Sequence, residues 1–332
     1  MADLPALPAG LSVAPITPAD VADAAALLAV AETADDTGEH WNAEDLTEWW
    51  VNDLVDLQRD SLAVRSADGT LVAWATVLAL PTFRDAFRVE LEARVHPAWR
   101  GRGVGRALLA WQLARGQEVH EERHPGSPAV LAVAAPTTMP GLEGLLRRAG
   151  LQQERWYFSM ERPLTEPVEV PVVEGIDLVP FAWERDEEVR QAHNASFTEH
   201  HGSAERDATT WRTLFTGQRA FRPDLSVLAV ADGAVVGYAL GYVYEADSLA
   251  TGYDEVHLGQ IGVLPAIRGR GVASAVIAAV LRAAAHDGCR RAGLEVDSAN
   301  VTGAVGVYER LGFRTARTRA SWSRVLPAAV HG

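Results

Sequence analysis

Two α/β domains in tandem are the fold that this sequence predicts, and three observations predict it. The chain has 332 residues, room for about two domains. An eleven-residue stretch occurs twice, as Val95-His96-Pro97-Ala98-Trp99-Arg100-Gly101-Arg102-Gly103-Val104-Gly105 and as Val263-Leu264-Pro265-Ala266-Ile267-Arg268-Gly269-Arg270-Gly271-Val272-Ala273, with eight of eleven positions identical. The segments around the two copies keep the same order, at offsets of 164 to 168 residues (Pro15/Pro180, Gly69/Gly233, Gly101/Gly269). An internal repeat of this kind governs every later assignment.

In the first half, Leu11 to Ile16 is a strand. Pro18 and Asp20 open a helix, Val21 to Ala31, whose apolar residues recur at helical spacing. After the acidic, turn-like Asp35 to His40, a second helix spans Ala43 to Leu57. Ser61 to Ser66 and Leu71 to Leu80 flank Asp68-Gly69, the mark of a β-hairpin. Arg88 to Val95 is the strand leading into the repeated stretch, and the helix after it ends near His120. A strand at Ala129 to Ala134, a helix at Gly141 to Ala149 capped by Gly150, and a strand at Trp156 to Glu161 close the half.

Pro163, Pro167 and Pro171 punctuate the next stretch. Proline stiffens the chain and removes ladder donors, so residues 163–175 read as the linker between a first domain, 1–162, and a second, 176–332. The pattern then restarts: strand Ile176 to Val179, helix Asp186 to Phe197, polar His200 to Asp207, helix Ala208 to Phe215. The hairpin returns as Ser226 to Ala231 and Val235 to Tyr244 around Asp232-Gly233. Glu255 to Val263 enters the second copy. Gly293 to Val296, the helix Val301 to Arg310 capped by Gly312, and last strands within Thr315 to Val325 complete the chain.

Composition bounds the function. With 48% hydrophobic residues the chain can fill two cores. A net charge of −14 excludes nucleic acid as the expected partner, because that binding rests on Lys and Arg neutralising phosphates. An acidic surface attracts a cationic or amine-bearing small molecule, and it serves solubility. Cys289 is the sole cysteine, so neither a disulfide frame nor a cysteine metal cluster is expected. Met1 to Gly10 has no signal-peptide pattern and no apolar run approaches a membrane span, so the expectation is a cytoplasmic protein with no membrane partner. Nothing in the sequence sets an oligomeric state.

Each repeated stretch comes after a strand and opens an apolar helix. A glycine-rich turn there exposes backbone N–H groups, and the helix dipole favours an anion. The physical reading is a pyrophosphate cradle, present twice: Val95, Arg100, Gly101, Arg102, Gly103, Val104, Gly105 and Arg106, then Arg268, Gly269, Arg270, Gly271, Val272, Ala273 and Ser274. A P-loop needs Gly-Lys-Ser/Thr, and the chain contains no lysine. A dinucleotide fingerprint needs a third glycine, where Arg106 and Ser274 stand. What remains, Arg-x-x-Gly-x-Gly/Ala behind Val-x-Pro, resembles the acetyl-CoA-binding motif of the GNAT superfamily of N-acetyltransferases.

That resemblance covers nearly the whole chain. It implies the GNAT fold twice, each a mixed, mostly antiparallel sheet flanked by helices and splayed open beside the cradle. It implies acetyl-CoA, or another acyl-CoA, as co-substrate, no metal, and acyl transfer to an amine. Backbone groups of Ile261, Gly262 and Val263 would then hold the thioester carbonyl and the pantetheine arm, the oxyanion-type stabilisation of acyl transfer.

The halves differ chemically. Asn300 to Phe313 matches the family pattern Asn-x-x-Ala-x-x-x-Tyr-x-x-x-Gly-Phe, and Asn300, Ala304 and Tyr308 share one helix face. In the family this tyrosine lies beside the cofactor sulfur. A phenol of pKa about 10 is a workable donor to a thiolate whose conjugate acid is about 8.5. Aligned on Gly150-Leu151, the first half places Thr138, Leu142 and Leu146 at those three positions, and its one nearby tyrosine, Tyr157, is not placed. The sequence therefore predicts a first domain with a cradle but without the usual acid, and a catalytic second domain.

Acyl transfer also needs a base. An alkylammonium of pKa about 10 is neutral in about one part per thousand at pH 7, a penalty of about 4 kcal/mol. Six residues before Val263 stands His257, where many family members carry Glu, with Glu255 two residues earlier. Either suits the task, directly or through water. The two share a face with residues 259 and 261 in a regular strand, a parity that the bulge found in the family would break. The region after the first helix borders the acceptor site in the family, which nominates Glu199, His200 and His201 as substrate contacts, and Glu39 in the matching stretch of the first half. Adjacent His200 and His201 rarely chelate one ion together, so no metal site is assigned. Cys289 has no His/Asp constellation and is not nominated as a nucleophile.

Overall fold

The computed structural model describes residues 7–52, 54–198, 204–299 and 303–328. The first half forms β1 (Leu11–Ala14), α1 (Val21–Asp35), α2 (Ala43–Trp50), α3 (Leu57–Asp60), β2 (Ser61–Ser66), β3 (Leu71–Ala79), β4 (Phe87–Val95), α4 (Val104–Arg123), β5 (Ala129–Pro136), α5 (Pro140–Arg148) and β6 (Gln152–Pro163). The second forms β7 (Asp177–Pro180), α6 (Asp186–Ser196), α7 (Ala208–Trp211), β8 (Phe221–Ala231), β9 (Ala234–Tyr242), α8 (Glu245–Thr251), β10 (Glu255–Val263), α9 (Val272–Asp287), β11 (Arg291–Asp297), α10 (Ala304–Arg310) and β12 (Arg314–Leu326).

These elements build two compact units, and the units are not the two halves. One unit is Met1–Arg155 with Arg319–Gly332; the other is Trp156–Thr318. The strand that closes the first half, β6, pairs antiparallel with β11 from Tyr157↔Asp297 to Pro163↔Arg291. The strand that ends the chain pairs with β5 from Arg319↔Pro136 to Leu326↔Ala129. Each half thus gives its last strand to the unit built by the other half. Side chains account for this. Met160 of β6 is buried in the core around α9, and Glu161 bonds Arg291 and Arg317. Ala320 and Trp322 of β12 are buried in the core around α4.

Each unit has a six-stranded sheet, β1-β2-β3-β4-β5-β12 in the first and β7-β8-β9-β10-β11-β6 in the second. Within each, one pair is parallel, β4 with β5 and β10 with β11. The predicted mixed sheet flanked by helices is what the structure shows. β3 is apolar along nearly its whole length because both its faces are covered. Ala73, Ala75 and Val77 face the α4 core, while Leu71 and Trp74 face α1 and α2. In the second unit Val227, Ala229 and Ala239 meet α9, and Leu228, Tyr238 and Leu240 meet α6.

Four local expectations differ. The helix read from Ala43 to Leu57 stops at Trp50, where the Asn52 amide donates to the carbonyls of Glu48 and Trp49 and ends the ladder. The last strands are one strand, β12. Residues 245–251, left without an element in the sequence, form α8, closed by Gly252 at a φ of 79°. The proline-rich segment is also more than a tether: Leu164, Val168, Val170 and Val173 pack against the core of the second unit. No helix among the described residues is long and apolar enough to cross a membrane.

Candidate active site

In the second unit the site begins as a fork between two strands. β10 and β11 pair from Glu255↔Arg291 to His257↔Gly293, and there the pairing stops. β11 runs on beside β6. From Leu258 to Val263, β10 is paired only with β9 among the described residues. Backbone N–H and C=O groups along its other edge therefore face the gap, where an extended ligand can bond them.

His257 stands at the apex, as the last paired residue. The register slips between Leu258 and Gln260, leaving Gly259 as a bulge. Val256 and Leu258 face the α9 core before the bulge, and Ile261 and Val263 face it afterwards. The parity of the strand is thus reversed across Gly259: Glu255 and His257 share the opposite face with Gly262. The Tyr244 ring meets the His257 ring edge-on at 6.0 Å.

Glu255 is committed elsewhere. Its carboxylate accepts from Arg291, its cross-strand partner on β11, and Arg291 also donates to Glu161 at 2.7 Å. Burial raises the Glu255 pKa, with Arg291 pulling against it. A side chain on Gly293 would strike this carboxylate, so a glycine beside His257 keeps room for both groups.

Tyr308 is the one buried residue of α10. It meets Phe313 edge-on at 6.2 Å, and burial pushes its phenol up to about 12. Asn300, its predicted companion, lies outside the described residues, as do Glu199, His200 and His201.

The cradle closes the far end of β10. Gly271 caps α9 with a φ of 87°, where a residue with a Cβ would be strained. The N–H groups of Val272, Ala273 and Ser274 open the helix, where no intrahelical partner exists for them. The flanking arginines behave differently from free charges. Arg268 lies back along its own strand end, with Nε 3.4 Å from the Val263 carbonyl, and donates to the Ser196 carbonyl of α6 at 2.8 Å. Arg270 donates to the Glu174 carbonyl at 2.8 Å, holding the proline-rich segment near the cradle.

The first unit repeats the frame. β4 and β5 part after Glu90↔Ala132, and Gly103 caps α4 with a φ of 93°. Arg102 lies over Trp99, 5.0 Å from the ring centre. Arg100 bonds the Val95 carbonyl but forks onto both Asp35 oxygens, at 2.5 and 2.7 Å. β4 pairs with β3 without a bulge. Register then sets Arg94, opposite Trp74, against Gly262, opposite Tyr238. Arg94 donates to Glu39 at 2.8 Å, and Arg319 donates to Glu39 at 3.3 Å, so the predicted contact Glu39 sits inside an ion-pair cluster. Leu146 occupies the tyrosine position, fully buried. The alignment is visible in the closing turns: Leu151 N–H bonds the Leu146 carbonyl at 3.1 Å and Phe313 N–H bonds the Tyr308 carbonyl at 3.0 Å. Tyr157 is no substitute, because it pairs opposite Asp297 in the second unit.

Sequence reasoning missed two features. The bulge shifts the correspondence, so the partner of His257 in the first unit is Glu90, the last paired residue of its own fork. Tyr238 and Tyr244 on either side of Tyr242 line the same face as His257, a signal readable in their even spacing along a strand. Cys289 is buried, and burial pushes its thiol up to about 11, which fits its exclusion as a nucleophile.

Known proteins place this geometry. A model of the acetyltransferase (GNAT) family matches residues 27–124 and 187–313. A mycothiol acetyltransferase of Thermobispora bispora is 36% identical over 228 residues, 67% of this chain and 71% of that protein. One of Streptomyces avermitilis is 33% identical over 261 residues, 76% of each. Among solved structures, a GCN5-related N-acetyltransferase from Sphaerobacter thermophilus superposes with a TM-score of 0.78 over 98% of this chain and 99% of that one, at 24% identity. A tandem GNAT protein from the clavulanic acid biosynthesis pathway gives 0.70 over 97% and 100%, at 21% identity. Those two structures share the fold.

Proposed function

This chain belongs to the GNAT family of acetyltransferases, and on that premise we propose that its second unit transfers an acetyl group from acetyl-CoA to a primary amine of a small molecule by direct attack. One observation carries the assignment: the fork, the cradle, His257 and Tyr308 are gathered in one unit, while the other keeps the fork and cradle but has Leu146 for the acid.

In this reading the N–H groups at the start of α9 hold the pyrophosphate, and the open edge of β10 holds the pantetheine arm. Ile261 to Val263 offer the donors that stabilise charge developing on the thioester oxygen. His257 takes the proton from the substrate ammonium, directly or through water, and the neutral amine then attacks the thioester carbonyl. Glu255 is the weaker candidate, because Arg291 already holds its carboxylate. Full proton donation from a phenol at about 12 to a thiolate near 8.5 would run uphill by about 5 kcal/mol. Tyr308 therefore works first as a hydrogen-bond donor to the departing sulfur.

The relatives' name points to the acceptor. The relatives are named mycothiol acetyltransferase, and the tandem plan resembles mycothiol synthase, which acetylates the cysteinyl amine of a glucosaminyl-inositol conjugate; we propose that amine as the substrate. The experiment is thiol release from acetyl-CoA by purified protein with this conjugate, with simpler amino sugars and with short peptides. Turnover confined to the conjugate supports the assignment. Peptide turnover would move the protein to N-terminal acetylation, and acetyl-CoA binding without turnover on any amine would make it a sensor.

A further inference from the structure

One buried polar pair stands outside the roles above. His193, in the last full turn of α6, is 3% exposed. Phe197 stacks on its ring at 4.5 Å, and Trp211 and Phe215 close round it at 5.2 and 5.3 Å. A leucine would pack in such a box without the cost of burying imidazole nitrogens. The histidine instead reaches the sheet, with Nδ1 2.8 Å from the Tyr238 hydroxyl on β9. Tyr238 in turn lies on the backbone of Gly262. A Cβ at Gly262 would fall within 2.7 Å of the ring's Cε1, its Cζ and its hydroxyl. Gly262 is thus glycine because the phenol is there, and the phenol is held by His193.

A second tie leaves the same turn. The Ser196 carbonyl accepts from Arg268, whose Nε approaches the Val263 carbonyl. The end of α6 therefore touches β10 at Gly262 through Tyr238 and at Val263 through Arg268.

The duplicated half supplies the control. The buried positions of α1 (Val21, Ala24, Leu27, Leu28, Ala31) match those of α6 (Asp186, Val189, Ala192, His193, Ser196) one for one. His193 corresponds to Leu28, and Tyr238 and Gly262 correspond to Trp74 and Arg94. At the positions of His193 and Tyr238 that unit packs Leu28 and Trp74. The polar pair occurs in the unit that carries Tyr308.

We infer that His193 is a positioning residue which, through the Tyr238 hydroxyl, fixes the Gly262 segment of β10 at the place where the acyl carbonyl of the donor is held. This rests on the acyl-transfer reading. The acyl carbonyl is the part of the donor that acetyl-CoA has and CoA lacks, which gives the test a readout that a merely structural role does not move.

The comparison is acetyl-CoA against CoA, which lacks the carbonyl. Calorimetry and steady-state kinetics would be run on the full chain and on Tyr238→Phe, His193→Leu, His193→Gln and the Tyr238→Phe/His193→Leu double variant. Tyr238→Phe keeps the ring on Gly262 and removes only the hydroxyl. The expected result is CoA affinity within twofold of wild type, loss of the preference for acetyl-CoA, and kcat lowered about tenfold. The double variant should be no worse than either single one, because both break one link. His193→Gln, which can still bond the phenol, should recover part of kcat. Tyr238→Phe with kcat and acetyl-CoA preference within twofold of wild type would overturn the inference. So would equal weakening of CoA and acetyl-CoA alongside a lowered Tm, since that is a packing defect. A wild-type protein that binds neither ligand would instead sink the acyl-transfer reading itself.

Discussion

The two units share a frame and differ in what fills it. Each has a fork between a parallel strand pair, a glycine-capped helix at the strand end, and a short helix closed by the same turn. Backbone makes that frame, and it is the part that would hold a cofactor. The face of the fork around His257 is lined by side chains, and there the units part. The second unit has a bulge, His257, Gly262 over Tyr238, and Tyr308. The first has an unbroken β4, Glu90, Arg94 tied to Glu39 over Trp74, and Leu146. The repeat keeps the backbone frame and changes the side chains around it.

The strongest way to break this comparison is to make the units alike. Tyr308→Leu copies the first unit into the second and should lower turnover by about 10² to 10³, the usual weight of one hydrogen-bond donor aimed at a developing charge, with acetyl-CoA still bound. Unchanged turnover would remove Tyr308 from the mechanism. The reverse change, Leu146→Tyr, should add no turnover in a Tyr308→Leu background, because the first unit lacks the bulge and His257.

Stability separates the two positions next. Leu146 is a core residue, so Leu146→Ala should cost about 2 to 5 kcal/mol in the unfolding of its unit and leave acetyl transfer per folded molecule unchanged. Denaturant melts with an activity assay on the folded fraction check both. Loss of activity without loss of stability would give the first unit a part in the reaction.

The cradle arginines sharpen the contrast further. Arg268 braces the second cradle by donating to the Ser196 carbonyl of α6, whereas Arg100 forks onto the Asp35 carboxylate. Arg268→Met should weaken acetyl-CoA binding about tenfold, the scale of one lost charge-assisted hydrogen bond near an anion. Arg100→Met should leave kcat and the apparent KM for acetyl-CoA as they are. Native mass spectrometry of both variants, titrated with acetyl-CoA, counts the ligands that remain.

Much of this was legible in the sequence because it is periodic or local. The repeated stretch announced both glycine-capped turns, and the motif from Asn300 to Phe313 announced Tyr308 against Leu146. What stayed hidden depends on register. The bulge at Gly259 moves the counterpart of His257 from Val89, found by counting back from the cradle, to Glu90. The exchange of β6 and β12 cannot be read from either strand, since both have the composition of any closing strand, and only the partner core distinguishes them. His193 reads as one polar residue among several until Tyr238 and Gly262 are seen beneath it.

The smallest expected effect is a flat line. An unperturbed phenol loses its proton near pH 10, but burial holds Tyr308 near 12. The shift is upward, so the protonated form persists as pH rises through 10 and is lost only toward 12. If Tyr308 acts by offering that proton, turnover should not fall between pH 8.5 and about 10.5 on its account. Whatever its histidine contributes to the acidic side, the alkaline side of the wild type should match that of Tyr308→Phe after scaling. A descending limb centred near 10 in the wild type and absent from Tyr308→Phe would mean that the phenol titrates as if exposed. The burial that Tyr308 shares with Leu146 of the first unit would then not survive binding of the ligands.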